Sequence, residues 1–195
     1  MRMRRSRSPI SSSPKRSSAE LMTGNWRLRR ATAADAQAMA MIAAASFLET
    51  FAGILPGADI VAHCARNSSP EKFSGWAEDP ASILTLAEHP QGFAPVGYTV
   101  LTTPDLPVAQ TPGDIELRRI YALSITRGTG LGHHLMATAI ADARALGGRR
   151  LLLGVLDRNH RARTFYEREG FSPVGTRRFS VGAGWCDDVI YARSL

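Results

Sequence analysis

The sequence has only two cysteines, Cys64 and Cys186, which lie far apart and form no Cys-x-x-Cys pair. That argues against a disulfide scaffold or a zinc ribbon. Two buried free thiols are expected instead, which suits a reducing cytoplasm. No uninterrupted apolar stretch approaches the ~20 residues of a membrane-spanning helix. No internal repeat is present, which removes the solenoid architectures. His133 and His134 are adjacent, so on a helix they point about 100° apart and cannot chelate one metal in the i, i+4 manner. No metal is expected.

What is present is an ordinary globular composition, 44% apolar over 195 residues. A domain of ~150 residues buries ~70% of its unfolded surface and needs no covalent staple. The net charge of +7 invites a nucleic-acid reading, but its distribution argues against one. Residues 1–22 hold six basic groups against one acidic; the other 173 residues hold 18 against 16. The basicity therefore belongs to an Arg-, Ser- and Pro-rich segment too poor in apolar groups to repay the entropy of ordering. Residues 1–22 are expected to be a disordered basic tail, and 23–195 a single domain. No apolar run follows the early charges, so a secretory signal is not expected, and Met22 is a candidate start.

Along the domain, strand and helix patterns alternate. Trp26 to Arg30 reads as a short strand, and Asp35 to Phe51 and Gly57 to Asn67 as helices. Ser69-Pro70-Glu71 reads as another helix start, with Ser69 as cap and Pro70 in the first turn. Ile83 to Glu88 and Val96 to Thr102 are expected to form a hairpin, followed by a strand from Ile115 to Leu123. Leu151 to Leu156 is almost continuously apolar, as in a strand buried on both faces. Val174 to Val181 and Val189 to Ala192 are expected to close the sheet.

The most informative segment is Arg127-Gly128-Thr129-Gly130-Leu131-Gly132. A glycine-rich turn opening a helix points backbone N–H groups and the positive end of the helix dipole at one spot, an arrangement that binds pyrophosphate. Thr129 is the expected N-cap and Gly147-Gly148 the stop. Between them Leu131, Leu135, Met136, Ala139, Ile140, Ala143 and Leu146 fall within one half of the helical wheel. A P-loop would need Lys-Ser/Thr after the last glycine, where His133-His134 stand, and a dinucleotide fingerprint would need glycine at 133. What remains is Arg/Gln-x-x-Gly-x-Gly/Ala.

A second signature follows: Asn159-x-x-Ala162-x-x-Phe165-Tyr166-x-x-x-Gly170-Phe171. Seven residues on a helix leave Asn159 and Tyr166 about 20° from alignment, so both are expected to face one way. Phe165 is expected to turn towards the core, and Gly170 to end the helix.

Together these two segments resemble the GNAT superfamily of acetyl-CoA-dependent N-acetyltransferases. Glu116 to Leu123 resembles the strand before that family's phosphate turn. A closer similarity is to the PaiA-type spermidine/spermine N-acetyltransferases. It rests on Phe47-x-Glu49-Thr50-Phe51, Arg119-Ile120-Tyr121, Leu153-Gly154-Val155 and Gly175-x-x-x-Phe179-x-Val181-Gly182.

The resemblance implies an α/β fold with a mixed central sheet of about six to seven strands flanked by about four helices. It implies acetyl-CoA as co-substrate and no metal. Pyrophosphate would lie on Arg127, Gly128, Thr129, Gly130, Leu131, Gly132 and His133. The pantetheine arm would pair with Ile120, Tyr121 and Ala122 and touch Asn159. A backbone N–H near Ala122 would polarise the thioester carbonyl.

Transfer also requires a neutral amine, whose ordinary pKa is ~10. Glu116 is the candidate base, through water, and Tyr166 the candidate acid for the departing thiolate. Glu116 should share a face with Ile120 and Ala122 if the strand alternates without a bulge, although the pair Arg118-Arg119 disturbs that pattern. Many family members carry Glu where this chain has Gly154, which shifts the burden to Glu116.

A small-molecule primary amine, with a polyamine as the candidate, is the expected acceptor. Glu49, Glu116, Asp187 and Asp188 would attract its charge, and Phe47, Phe51, Phe179 and Trp185 would hold its methylenes. The competing readings are a CoA-binding module without catalysis, an acetyltransferase of protein or peptide amines, and nucleic-acid binding through the basic arm. Intact Glu116 and Tyr166 argue against the first. No membrane partner is expected, and the resemblance implies a homodimer.

Overall fold

The computed structural model describes residues 26–181 and 184–195, and the basic segment 1–22 lies outside the described residues. In chain order the elements are β1 (Arg27–Arg30), α1 (Ala36–Phe51), α2 (Gly57–Asn67), α3 (Pro70–Glu78), β2 (Ile83–Glu88) and β3 (Pro95–Thr102). Then come β4 (Asp114–Ala122), α4 (Leu131–Ala145), β5 (Arg150–Leu156), α5 (His160–Arg168), β6 (Ser172–Val181) and β7 (Gly184–Ser194). The seven strands form one sheet in the order β1-β2-β3-β4-β5-β7-β6. Every neighbouring pair is antiparallel except β4 and β5, which run parallel and are joined through α4.

Local chemistry sets the helix ends. Ser69 caps α3 by accepting from the Lys72 N–H at 3.3 Å, with Pro70 in the first turn. Past α4, the Gly147 and Gly148 N–H groups donate to the Arg144 and Ala143 carbonyls, both at 2.9 Å. Gly170 and Phe171 do the same for Glu167 and Tyr166 at the end of α5, both at 3.0 Å. Each pair satisfies two carbonyls that a helix end otherwise leaves bare, and each needs a left-handed residue, supplied by Gly147 and Gly170.

The two faces of the sheet carry separate cores. On one, Met39 and Ile42 of α1 and Phe73 of α3 pack against Leu84, Leu86, Tyr98 and Val100. On the other, Met136, Ala139 and Ile140 of α4 pack against Leu117, Leu151, Leu153 and Val155. Leu152 points away from α4 into a small cluster with Leu106 and Ile190, so β5 is buried on both faces as its sequence predicts. The wheel of α4 holds except at Leu146, which lies past the last helical residue and is 42% exposed. Cys64 and Cys186 are free thiols, but only Cys186 is buried as expected; Cys64 is half-buried. Among the described residues no helix is long and apolar enough to cross a membrane.

Two irregularities position everything that follows. First, β4 and β5 pair only at Asp114–Arg150, Ile115–Leu151 and Glu116–Leu152, and then diverge. Second, β4 is bulged: Val100 pairs with Arg119 but Leu101 with Leu117, so Arg118 is the extra residue. The bulge reverses the alternation below it. Glu116 therefore shares the α1 face with Arg119 and Tyr121, while Leu117 joins Ile120 and Ala122 on the α4 face. The expectation that Glu116 lies beside Ile120 and Ala122 is thus corrected.

Asp114 clasps the paired end. Its side chain, 2% exposed, takes Arg150 Nε at 2.8 Å and Nη2 at 2.6 Å, and it accepts from the Thr111 N–H at 2.7 Å. The Arg150 guanidinium and the Thr111 donors hold its carboxyl down to about 2. This contribution is complete above the ordinary Asp pKa of ~3.9 and is lost as pH falls through about 2. Asp114→Asn should lower stability by ~1–3 kcal/mol at neutral pH in denaturant unfolding. It should also flatten the loss of stability between pH ~4 and ~2; an unchanged acid profile would remove this clasp from the account.

Candidate active site

Where β4 and β5 separate, a cleft of about 680 Å³ opens. Its walls come from β4 (Glu116 to Ala122), β5 (Leu153 to Leu156), the start of α5, and residues of α1, α2 and α3. Beyond Glu116 and Leu152, β4 and β5 no longer pair with each other. Their facing backbone groups therefore need another partner, which an extended ligand can supply by adding a strand.

At one end of the cleft is the glycine turn. A 3-10 turn, Ser124–Thr126, leads into it, and Gly128 and Gly130 take φ of 76° and 83°. Gly130, not Thr129, is the N-cap of α4. Thr129 Oγ1 is turned instead to Trp26 Nε1 (3.1 Å) and the Thr126 carbonyl (2.7 Å), and meets the Leu131 N–H only at 3.4 Å. The hydroxyl thus braces the turn against β1, and the left-handed glycine starts the helix.

Among the described residues, the N–H groups of Gly128, Gly130, Gly132 and His133 donate to no backbone acceptor. They open towards the helix N-terminus, and a side chain at Gly128 or Gly130 would meet nothing within 4 Å, so the approach is clear. Donors of this kind fit a pyrophosphate. Arg127 and Gly132 line the cleft. Leu131 is fully buried among Ala87, Val96 and Leu135, so it can offer only backbone. The His133 ring sits 2.9 Å from Glu169.

The second signature is corrected in part. Asn159 is not inside α5 but caps it, its Oδ1 accepting from the Ala162 N–H at 3.1 Å. It and Tyr166 nevertheless line the same cleft. Phe165 packs against the α4-side core as expected but also lines the cleft, while its neighbour Tyr166 is the deeper residue, 8% exposed. The Tyr166 ring packs 6.0 Å from Phe171 and 6.3 Å from Tyr191. Its hydroxyl bonds to no described residue, and burial pushes it above the usual phenol range.

Glu116 is 3% exposed. Its Oε2 accepts from Arg118 Nη2 at 2.9 Å and the Asp105 N–H at 2.8 Å, leaving Oε1 without a hydrogen bond among the described residues. Burial pushes its carboxyl above the usual carboxylate range, and Arg118 pulls the other way.

Sequence reasoning missed Arg177. Its Nε binds Asp188 at 2.9 Å, and its guanidinium lies over Gly154, 3.1 Å from where a Cβ would stand. The glycine that replaces the family's carboxylate thus makes room for an arginine from β6. The signal was legible only as an absence of side chain at 154. Of the residues expected to meet the acceptor, Glu49, Asp188, Phe47, Phe51 and Phe179 line the cleft with Glu116. Asp187 and Trp185 do not. They line an adjoining hollow of about 140 Å³, which shares Ile54, Leu156 and Arg158 with the cleft. Among the described residues no group of three or more His, Cys, Asp or Glu could hold a metal ion.

A mixed sheet split between parallel strands, with a glycine turn at the mouth of the split, defines an acyltransferase of a known class. The chain belongs to the acetyltransferase (GNAT) family, whose model matches residues 55–171. It is 32% identical over 161 residues to an uncharacterized N-acetyltransferase of Mycobacterium bovis, covering 83% of this chain and 98% of the relative. In fold it is similar to the PaiA N-acetyltransferase from Thermoplasma acidophilum in complex with coenzyme A. That match has a TM-score of 0.72 and 19% identity, over 88% of this chain and 100% of that one. A putative acetyltransferase from Salmonella typhimurium with its cofactor acetyl-CoA matches with a TM-score of 0.67 and 21% identity. It covers 88% of this chain and 95% of that one.

Gly130→Ala should be tolerated sterically, since no atom lies within 4 Å of the added carbon. It should still cost ~1 kcal/mol, because a side chain at φ of 83° is strained. Denaturant unfolding measures this; a loss near zero would mean that the turn relaxes.

Proposed function

We propose that the chain transfers acetyl from acetyl-CoA directly to the primary amine of a small molecule, in a ternary complex. The observation that carries this is the single cleft at the β4–β5 split, which the phosphate turn and Tyr166 share. Bound acetyl-CoA supplies the thioester. The open N–H groups of Gly128, Gly130, Gly132 and His133, with Arg127, would hold its pyrophosphate. The unpaired edge at Ile120, Tyr121 and Ala122 would align its arm. The Asn159 NH2, free of the capping bond that occupies Oδ1, would steady the arm from the other wall.

The remaining work is proton transfer. Glu116, through water, removes a proton from the incoming ammonium. Tyr166, kept protonated by burial, delivers one to the leaving sulfur. Neither forms a covalent bond to substrate.

A polyamine acceptor is the narrower reading favoured by the sequence resemblance, whereas Glu49, Glu116 and Asp188 on the cleft wall are each already bonded within the chain. The two free thiols suit a cytoplasmic enzyme. The homodimer rests on the family resemblance.

Release of CoA thiol over a panel of polyamines, amino acids, aminoglycosides and peptide N-termini tests the activity. Silence across the panel, with CoA bound tightly, would favour a non-catalytic module. Tyr166→Phe should lower turnover by ~10²-fold or more while leaving acetyl-CoA affinity unchanged. Unchanged turnover would dismiss Tyr166 as the acid. Because burial raises Glu116, the wild-type kcat/KM should fall on the acid side at a pH above the ordinary carboxylate range. Glu116→Gln should lower the rate and abolish that limb; its persistence would assign the base elsewhere.

A further inference from the structure

The charge on the cleft wall is lopsided. Seven ammonium or guanidinium groups line it against three carboxylates. Two of those carboxylates are already occupied, Glu116 by Arg118 and Asp188 by Arg177. The third, Glu49, accepts from the Ser124 N–H at 2.8 Å and its hydroxyl at 2.9 Å. Arg127 stands at the glycine turn, and Arg158 and Arg161 flank the Asn159 cap of α5, where the donor's phosphates would use them.

Arg119 and Lys72 have no such use. The bulge at Arg118 turns Arg119 to the α1 face of the sheet, away from α4 and its phosphate turn. There the guanidinium is fixed from behind. Its Nη2 donates to the Asn67 carbonyl at 2.6 Å and its Nη1 reaches Ser68 Oγ at 3.4 Å. It lies 5.2 Å from the Trp76 ring and 5.7 Å from Phe73. Lys72 Nζ sits 5.0 Å from the Trp76 ring. Neither cation meets a carboxylate among the described residues, and both line the cleft. Five N–H donors in a rigid fork, two of them bonded to Asn67 and Ser68 and with the Tyr98 hydroxyl close by, leave donors to match a carboxylate bidentately. A polycation at this spot would be repelled.

We propose that the acceptor is a primary amine that also carries a carboxylate, and that Arg119, with Lys72 against the same Trp76 ring, is the specificity-determining pair that binds that carboxylate. The proposal rests on the acetyltransferase reading above. It sets the acceptor's anion on the α1 side of the sheet and the donor's phosphates on the α4 side, with the amine between them.

The test uses the full chain and matched amines: α-amino acids against their carboxamides, 4-aminobutyrate against butylamine, and spermidine. Thiol release is measured with acetyl-CoA, and acceptor binding by calorimetry on the CoA complex. Carboxylate members should be preferred by ~10–100-fold in kcat/KM. Arg119→Gln should erase that preference by raising KM for the carboxylate members alone. Lys72→Gln, at an exposed position that leaves folding intact, should do so more weakly. A best acceptor without an anion overturns the proposal. So does an Arg119→Gln variant that slows both members of each pair equally, as a merely structural pin would. Thiol release failing with every amine would break the acetyltransfer reading instead. Calorimetry then still decides: carboxylate-selective binding lost in Arg119→Gln supports the proposal, and unselective or absent binding overturns it.

Discussion

Two parallel strands that pair for three residues and then part are the constraint on which this molecule depends. A buried sheet cannot leave backbone donors and acceptors bare without cost, so the split between β4 and β5 must be filled. Elsewhere both strands are held firmly: β4 to β3, and β5 to β7 along its full length. The Asp114–Arg150 pair marks where the seam is shut. Past it the cleft has strand-held walls on both sides, and these bring a glycine turn, a phenol and a carboxylate from distant segments to one cleft.

The bulge at Arg118 performs a second division. By inserting one residue it sends Leu117 and Ile120 into the α4 core, and Glu116, Arg119 and Tyr121 to the other face. Glu116 and Arg119 are thereby brought to the wall of one cleft. Glu116 is held by Arg118 at the closed end of the split, and Arg119 is braced by α2 and α3 farther along. Arg177, reaching over Gly154, adds a third guanidinium from β6. Burial of Tyr166 among Phe171 and Tyr191 keeps its proton in place while its hydroxyl bonds to no described residue.

Much of this was readable in the chain. Periodicity located the helices, because an apolar stripe at 3.6 residues has few other uses. Ser69-Pro70, Gly147-Gly148 and Gly170-Phe171 marked the ends, because capping is local chemistry. The glycine turn was legible for the same reason: φ near +80° at Gly128 and Gly130 is a demand on those residues themselves. The misreadings are instructive. Thr129 was the natural cap by type, yet its hydroxyl answers to Trp26, a residue more than a hundred positions away. Asn159 belongs by the helical wheel to α5, yet it is the residue before the helix and its side chain caps it.

The sequence by itself determined the glycine turn and the two signatures that name the family, and through the family the fold class, because both signatures rest on contacts within a few neighbouring residues. Only the tertiary structure decided which face of β4 carries Glu116 and Arg119, that Arg177 fills the space above Gly154, and that Asp187 and Trp185 leave the site. Those outcomes hang on a one-residue bulge and on strand pairing between distant segments. Shifting a strand by one residue exchanges its two faces, and that shift is written in the partner strand rather than in the strand itself.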